Sequence, residues 1–163
     1  RHFTNPFVEK YHKQNGKYGD LTQQDTIAQY RWLDSVLANS KEEWKIVIGH
    51  HPIYSSSKKH GNQPELHRRL KPMLEKYGVQ FYFCGHDHDL QHQKASSETV
   101  DHVLSGAGSE TRDAGTSPTT QFAKDISGFV AVSLTKEKAK LYFIDYQGNV
   151  IYRFEKNNNS PKP

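Results

Sequence analysis

Residues 79–88, VQFYFCGHDH, decide the fold, because a run of strand-forming residues leads into a glycine and then two histidines. Residues 45–52, KIVIGHHP, show the same pattern earlier in the chain. The apolar runs predict strands at 44–48 and 79–84, and a glycine without a Cβ lets the chain turn sharply where each strand ends. Each pattern therefore places imidazoles just beyond the end of a sheet, where α/β folds usually gather ligands.

The segment between the two patterns predicts a helix. Pro64 suits the first turn of a helix, and Gly78 suits the C′ position that follows its last turn. The residues expected on its apolar face are Leu66, Leu70, Met73 and Leu74. The order strand, helix, strand is that of a βαβ unit, whose two strands run parallel.

The remaining elements are assigned from periodicity and turn residues. Thr22 is the expected N-cap of a helix that ends near Asn39, and residues 1–20 are expected to form an irregular loop. After the second histidine pattern we expect short strands, a polar surface loop and a final meander of strands. The strands are expected at 90–94, 100–104, 129–134, 141–145 and 150–155, the loop at 109–127, and a disordered tail at 157–163.

Composition excludes several classes of protein. The chain has 163 residues, of which 34% are hydrophobic, and no apolar run approaches the roughly 18 residues of a membrane span. The net charge of +4 comes from scattered lysines and arginines, so nucleic-acid binding is not expected. Cys84 excludes an internal disulfide because it is the single cysteine, and its position predicts a small buried core residue. The chain begins with Arg1 and has no signal-peptide pattern, so we expect any targeting signal to lie upstream or to have been removed.

Seven of the ten histidines lie between residues 50 and 92, and imidazole is the commonest side-chain metal ligand. We interpret His50, His86 and His88 as ligands of a borderline metal such as Zn, Fe or Mn. The alternative is that they are polar loop residues whose ring nitrogens bond to the backbone. His102, which falls in a short strand, is interpreted as a packed or exposed histidine. The same interpretation applies to His2, His12, His67 and His92.

The number of candidate ligands is too small for two metal ions. Three histidines and a water can complete a single zinc site, whereas two ions need about six to eight ligands, including bridging carboxylates. Asp87 and Asp89 lie too close to the histidine pair to coordinate freely, and Asp87 is expected to point away from the metal. The sequence therefore predicts part of a metal site.

Four motifs together resemble the second half of a purple acid phosphatase of the small tartrate-resistant type, within the calcineurin-like metallophosphoesterases. The motifs are Gly49–Pro52, His60-Gly61, Cys84–Gln91 and Ser105–Gly108, and the resemblance covers about residues 25–155. It implies an α/β fold, a four-layer sandwich of two mixed sheets with helices outside. Residues 1–156 would be the C-terminal portion of that catalytic domain.

The resemblance also implies roles for individual residues. His50 and His86 would bind a divalent metal and His88 a ferric ion. His60 would contact the substrate phosphate or protonate the leaving group, with Lys59 as a weaker substrate-binding candidate. The family's aspartates, tyrosine and asparagine belong to its first half, and their motifs are absent from this sequence. The expected partner is therefore the missing N-terminal half of the same enzyme.

The function implied is that of a metal-dependent acid phosphatase, which hydrolyses phosphate monoesters with Fe(III) beside Fe(II), Zn(II) or Mn(II). The alternatives are a phosphodiesterase or nucleotidase of the same superfamily, or a non-catalytic module that binds a metal or a partner. By resemblance, the enzyme would be secreted, periplasmic or lysosomal. The isolated chain is expected to lack turnover. It is also expected to expose unpaired strand edges at 46–48 and 79–84, which favours self-association.

Overall fold

The computed structural model describes residues 25–158, and the chain divides into two compact units, one ending at Asn39 and the other beginning at Ser40. The helices are α1 (Thr26–Asn39) and α2 (Pro64–Lys76). The strands are β1 (Ile46–Ile48), β2 (Phe81–Cys84), β3 (Leu90–Gln93), β4 (Asp101–Ser105), β5 (Thr120–Lys124), β6 (Gly128–Leu134), β7 (Lys138–Asp145) and β8 (Val150–Asn157). The loop expected at 1–20, the N-cap expected at Thr22 and residues 159–163 of the expected tail lie outside the described residues.

Helix α1 begins later than the sequence predicted. Its N-cap is Asp25, whose Oδ1 accepts a hydrogen bond of 2.9 Å from the backbone N–H of Ala28. We expected Thr22 at this position. The helix ends at Asn39, as predicted.

Helix α2 has the predicted start and end. Pro64 occupies the first turn, where its missing N–H costs no hydrogen bond. At the other end the N–H of Gly78 donates to the carbonyl of Glu75 (3.1 Å), and that of Val79 donates to the carbonyl of Leu74 (3.0 Å). Gly78 has φ +63°, the left-handed conformation that this Schellman closure requires. The closure turns the chain toward β2.

The first sheet has five strands in the order β1-β2-β4-β3-β5. Strands β1, β2 and β4 are parallel neighbours, which confirms the βαβ unit, and β3 is antiparallel to both β4 and β5. Strand β5 lies within residues 109–127, where we predicted only a surface loop, so that prediction was wrong. Its sequence, TQFAK, has no apolar run, and it forms because β3 offers a free edge.

The second sheet, in the part of the chain that the structure describes, consists of β6, β7 and β8, which pair antiparallel. Strand β8 continues to Asn157, which pairs with Lys138, so the strand includes the first residue of the expected tail. The hydrophobic core lies between the two sheets. Its fully buried members are Phe81, Leu90, Val103, Ala107, Ala139, Leu141 and Phe143. The fold is a mixed α/β sandwich whose first sheet carries both histidine patterns.

Strand β1 is shorter and more exposed than the sequence suggested. It has three residues and is an edge strand, and Ile48 is 78% exposed. Strand β2, in the interior of the sheet, ends at Cys84, which is buried as predicted. Between residues 25 and 158 no helix has the length and apolar composition needed to cross a membrane.

Candidate metal centre

Two backbone hydrogen bonds bring the histidine loops together at the carboxyl ends of β1 and β2. The N–H of Gly49 donates to the carbonyl of Phe83 (2.9 Å), and the N–H of Gly85 donates to the carbonyl of His50 (3.1 Å). These bonds continue the parallel pairing into the loops. As a result, Nε2 of His50 and Nδ1 of His86 lie 3.2 Å apart.

The loop that carries His86 has an uncommon backbone. His86 has φ +66°, and it is the one residue other than glycine with a positive φ between residues 25 and 158. This conformation costs an L-residue about 1–2 kcal/mol, and it turns the chain sharply directly after β2. Gly106, in the Ser105–Gly108 motif, leaves room for the loop, since a Cβ there would lie 1.9 Å from the carbonyl oxygen of Asp87.

The rings of His50, His51 and His60 all lie close to that of His86. The ring of His86 lies 4.2 Å from that of His51 and 4.7 Å from that of His60, measured between centroids. Nitrogens of His50, His51 and His86 lie within 4.8 Å of one another, and so do ligand atoms of His60, His86 and Asp87. The sequence singled out His50, His60 and His86 but gave no role to His51. The signal it offered was the doubled histidine of the first loop.

His88 and Lys59, the other predicted site residues, lie apart from these groups. Among the described residues, His88 belongs to neither set of potential ligands, and its Nδ1 lies 3.7 Å from Oε1 of Glu110. Lys59 is exposed, and its backbone N–H donates to Oγ of Ser57. The structure therefore brings together His50, His60 and His86 but not His88 or Lys59.

Asp87 lies inside the site, contrary to the expectation that it points away. It is fully buried, and its Oδ2 accepts a hydrogen bond from Oγ of Ser55. A carboxylate oxygen of Asp87 lies within 4.8 Å of ligand nitrogens of His60 and His86. The sequence could not show this, because the direction of the side chain depends on the left-handed turn at His86.

Three buried polar atoms of this one loop have no hydrogen-bond partner. They are Oδ1 of Asp87, Nδ1 of His88 and Oδ1 of Asp89. Buried polar groups are normally paired, so a cluster without partners is typical of a place where a ligand or an ion binds. Imidazole nitrogens and carboxylate oxygens are the donors that Zn, Fe and Mn accept. The residues present therefore fit the kind of metal that the fold implies.

Burial keeps the central imidazoles in the form that metals bind. The pKa of His86 falls to about 4, mainly because the ring is partly buried and also because His51 and His60 lie close to it. The pKa of His51 is lowered by burial and by His50. Burial raises the pKa of Asp89 to about 6, against the effect of its hydrogen bond from Gln91. Near neutral pH the rings of His51 and His86 are therefore neutral, the form in which imidazole binds a metal.

A buried layer of serines and glutamines supports the first loop on β3. Ser56 donates its N–H to Oε1 of Gln91 (2.9 Å), which also accepts from Nε2 of Gln93 (2.7 Å). Nε2 of Gln91 donates to Oδ2 of Asp89 (2.8 Å) and to Oγ of Ser55 (3.3 Å). Both loops of the site are therefore fixed to the same strand.

Of the histidines interpreted as packed or exposed, His92 and His102 are packed, and His2 and His12 lie outside the described residues. His102 in β4 is 1% exposed, and its ring centroid lies 4.9 Å from that of Tyr54 in an edge-to-face arrangement. His92 in β3 stacks on Phe154 and hydrogen-bonds to Asp101 (2.8 Å). Neither belongs to the candidate centre.

A cleft of about 870 Å³ lies at the opposite end of the parallel strands. Its lining includes Lys45, Gln80 and Asp101, which precede or begin β1, β2 and β4, whereas the site histidines follow β1 and β2. Two of its lysines, Lys94 and Lys156, both pair with Asp101. The clustered histidines, not the size of a cleft, mark the candidate site.

The sequence of this chain is similar to that of a known family of phosphoesterases. The family model described as Calcineurin-like phosphoesterase matches residues 4–90. Purple acid phosphatase 17 of Arabidopsis thaliana is 33% identical over 93% of this chain and 48% of its own length. Tartrate-resistant acid phosphatase type 5 of Oryctolagus cuniculus is 31% identical over 77% of this chain and 41% of its own. The chain thus spans about half the length of the curated relatives it matches.

Two solved structures show the same fold. One is GAP50, the anchor in the inner membrane complex of Plasmodium, which is 26% identical in sequence and superposes with a TM-score of 0.75. The match covers 82% of this chain and 43% of GAP50. The purple acid phosphatase of yellow lupin (Lupinus luteus) seeds is 19% identical with a TM-score of 0.71, over 84% and 29%. The second likeness concerns the fold alone. From the matched family model and these relatives, the chain belongs to the calcineurin-like phosphoesterase family and is homologous to the C-terminal half of purple acid phosphatases and of tartrate-resistant acid phosphatase type 5.

Proposed function

We propose that this chain is the histidine-bearing part of a metal-dependent acid phosphatase, which hydrolyses phosphate monoesters at a binuclear centre. The observation that carries the proposal is the 3.2 Å approach of His50 Nε2 to His86 Nδ1, at the carboxyl ends of two parallel strands. The rest of the same enzyme would contribute the bridging and terminal oxygen ligands. By family, the complete enzyme would be secreted, periplasmic or lysosomal.

In this proposal His50 and His86 hold a divalent ion, Fe(II), Zn(II) or Mn(II), and His88 holds Fe(III). When bound, the two ions would lower the pKa of a water molecule and neutralise charge on the phosphoryl oxygens. His88 supports its assigned role with a buried Nδ1 that has no hydrogen-bond partner. Its separation from the other ligands fits a second ion bound beside the first.

The proposed role of His60 is to stabilise charge on the phosphate or to give a proton to the leaving group. Its ring lies 4.7 Å from that of His86, close enough to face a substrate bound beside the divalent ion. Its exposed position leaves it open to the solvent from which a substrate arrives. Lys59 is exposed next to it and would add positive charge at the entrance.

Histidine variants of the complete protein test these assignments. His50→Ala and His86→Ala should lose the divalent ion and His88→Ala the ferric ion, each with nearly complete loss of turnover. His60→Ala should keep both metals and lower the catalytic rate by roughly ten- to a thousand-fold, the usual scale for a positioned acid or charge stabiliser. Metal analysis of the four variants separates the roles. Loss of metal from His60→Ala as complete as from His88→Ala would show that the roles are assigned wrongly.

Substrate choice tests the reaction itself. The complete, metal-loaded protein should hydrolyse p-nitrophenyl phosphate at mildly acidic pH and show a visible charge-transfer band. The 163-residue chain alone, given iron and zinc, should give no comparable turnover, because three histidines without a bridging carboxylate leave two cations to repel each other. A complete protein that cleaves only bis(p-nitrophenyl) phosphate and lacks the band would contradict the proposal.

A second candidate function is that of a non-catalytic binding module. The observation that favours it is the likeness to GAP50, the anchor in the inner membrane complex of Plasmodium. In this case the fold would serve as a docking surface and the histidines would bind an ion without catalysis. A complete protein with both metals bound, but inactive toward monoesters and diesters, would support this candidate.

A further inference from the structure

His51 occupies a position for which the family resemblance provides no role. Its ring centroid lies 4.2 Å from that of His86 and 4.8 Å from that of His50. One ring nitrogen of each of the three histidines lies within 4.8 Å of the others. Three imidazoles therefore converge on one point without any carboxylate from elsewhere.

We propose that His50, His51 and His86 together bind one borderline divalent cation, with water completing the coordination. The inference rests on the proposed metal role of His50 and His86 and adds His51 as a third ligand. A tetrahedral zinc ion with Zn–N bonds of about 2.0–2.1 Å sets its ligand nitrogens about 3.3–3.4 Å apart. The nitrogens of His50 and His86 lie 3.2 Å apart, close to one edge of that tetrahedron.

The backbone of His51 is held where the third ligand is needed. Its carbonyl oxygen accepts a hydrogen bond of 2.7 Å from Oη of Tyr82, a side chain that is 2% exposed. Pro52 follows directly and restricts His51 to extended backbone conformations. Because β2 carries Tyr82 and also leads to His86, one strand positions two of the three ligands. A site held in this way loses little conformational freedom when the ion binds.

The donor set predicts which ions bind. Three neutral imidazoles with one open position match catalytic zinc sites, and Co²⁺ accepts the same ligands. Mg²⁺ and Ca²⁺ prefer oxygen ligands and should not compete. A second arrangement, through His60, His86 and Asp87, shares His86 with the first, so an experiment must distinguish the two.

Cobalt titration of the 163-residue chain tests the proposal, with visible absorption reporting coordination and calorimetry giving the affinity. His50→Ala, His51→Ala and His86→Ala should each raise the Co²⁺ dissociation constant by more than about 100-fold, since even an indirect supporting residue costs 10- to 100-fold. His60→Ala tests the second arrangement and should remain near the wild-type affinity, as should the matched control His67→Ala, whose ring bonds to Tyr54 outside the site. Circular dichroism checks each variant, and His51→Gln replaces His51→Ala if the latter fails to fold.

The outcomes separate this inference from the proposed function. If His51→Ala and His51→Gln bind Co²⁺ like the wild type while His50→Ala and His86→Ala do not, the role of His51 is refuted and the proposed centre stands. If His60→Ala loses the ion and His51→Ala keeps it, the ion is held by the second arrangement, which again refutes the inference. If all five alanine variants bind like the wild type, the proposed ligands themselves are wrong.

Discussion

Replacing His102 should remove a defined part of the acid sensitivity of this fold. His102 is 1% exposed and lies between the rings of Tyr54 and Tyr82, and burial lowers its pKa from 6.5 to about 4. The carboxylate of Glu98, 3.8 Å from Nε2, offsets this only in part. Between these two pKa values the unfolded chain binds a proton at this residue and the folded chain does not, so the free energy of unfolding falls as the pH falls.

The magnitude follows from the two pKa values. The difference between 6.5 and about 4 corresponds to about 3 kcal/mol of unfolding free energy, of which about 2 kcal/mol is lost by about pH 5. His51 and His86, whose pKa values are also lowered, act in the same direction. Asp89, with its pKa raised to about 6, acts in the opposite direction. A comparison with His102→Phe, an uncharged ring at the same site, isolates the contribution of His102.

Urea unfolding followed by tryptophan fluorescence at pH 7 and pH 5 provides the assay. The wild type should lose about 2 kcal/mol more than His102→Phe over this interval. Val103→Ala, on the same strand and fully buried, is the matched control: it should lower stability by about 1–3 kcal/mol at both pH values and leave the pH dependence unchanged. An equal loss for the wild type and His102→Phe would refute the reasoning, as would an NMR titration of the His102 ring with its midpoint near 6.5.

Two further predictions concern the backbone of the site. His86→Gly should be about 1 kcal/mol more stable than His86→Ala in urea unfolding, because φ is +66° at this residue. At His50, where φ is not positive, the alanine variant should be the more stable of the two. The same order of stability at both positions would show that the backbone of His86 is not strained. Gly106→Ala should destabilise the chain by about 1–3 kcal/mol or more in thermal or urea unfolding, because the new Cβ would overlap the carbonyl of Asp87. Gly108→Ala, which meets no atom within 4 Å, should be close to neutral, and equal effects of the two substitutions would count against this close approach.

The elements that the sequence predicted well are those with local signals. Pro64 and Gly78 define α2 because each acts through its own backbone geometry. The strand-to-histidine patterns placed β1 and β2 as parallel neighbours, since a helix between two strands leaves few other topologies. Strand β5 was missed because it forms through pairing with β3. Such backbone pairing does not require a regular alternation of apolar and polar residues, so the polar sequence of β5 gave no signal.

In the site, the sequence identified which residues could take part but not which way they face. His50, His60 and His86 were named from the motifs and do lie together. Asp87 was expected to point away from the metal, yet one of its carboxylate oxygens lies within 4.8 Å of ligand nitrogens of His60 and His86. Side-chain direction in a loop depends on one or two backbone angles, such as the positive φ of His86, and no local pattern encoded that angle.

The serine–glutamine layer has a consequence for the alignment of β3. All four residues of this strand are buried, yet only Leu90 is apolar, and Gln91 and Gln93 find their partners in Ser55, Ser56 and Asp89. An apolar strand that slides by two residues keeps much of its burial, whereas the same slide of β3 would leave one of these two buried amides without its partners. The layer therefore fixes the register of β3 in the sheet. Because both histidine loops are bonded to this strand, the same register also fixes the position of one loop relative to the other.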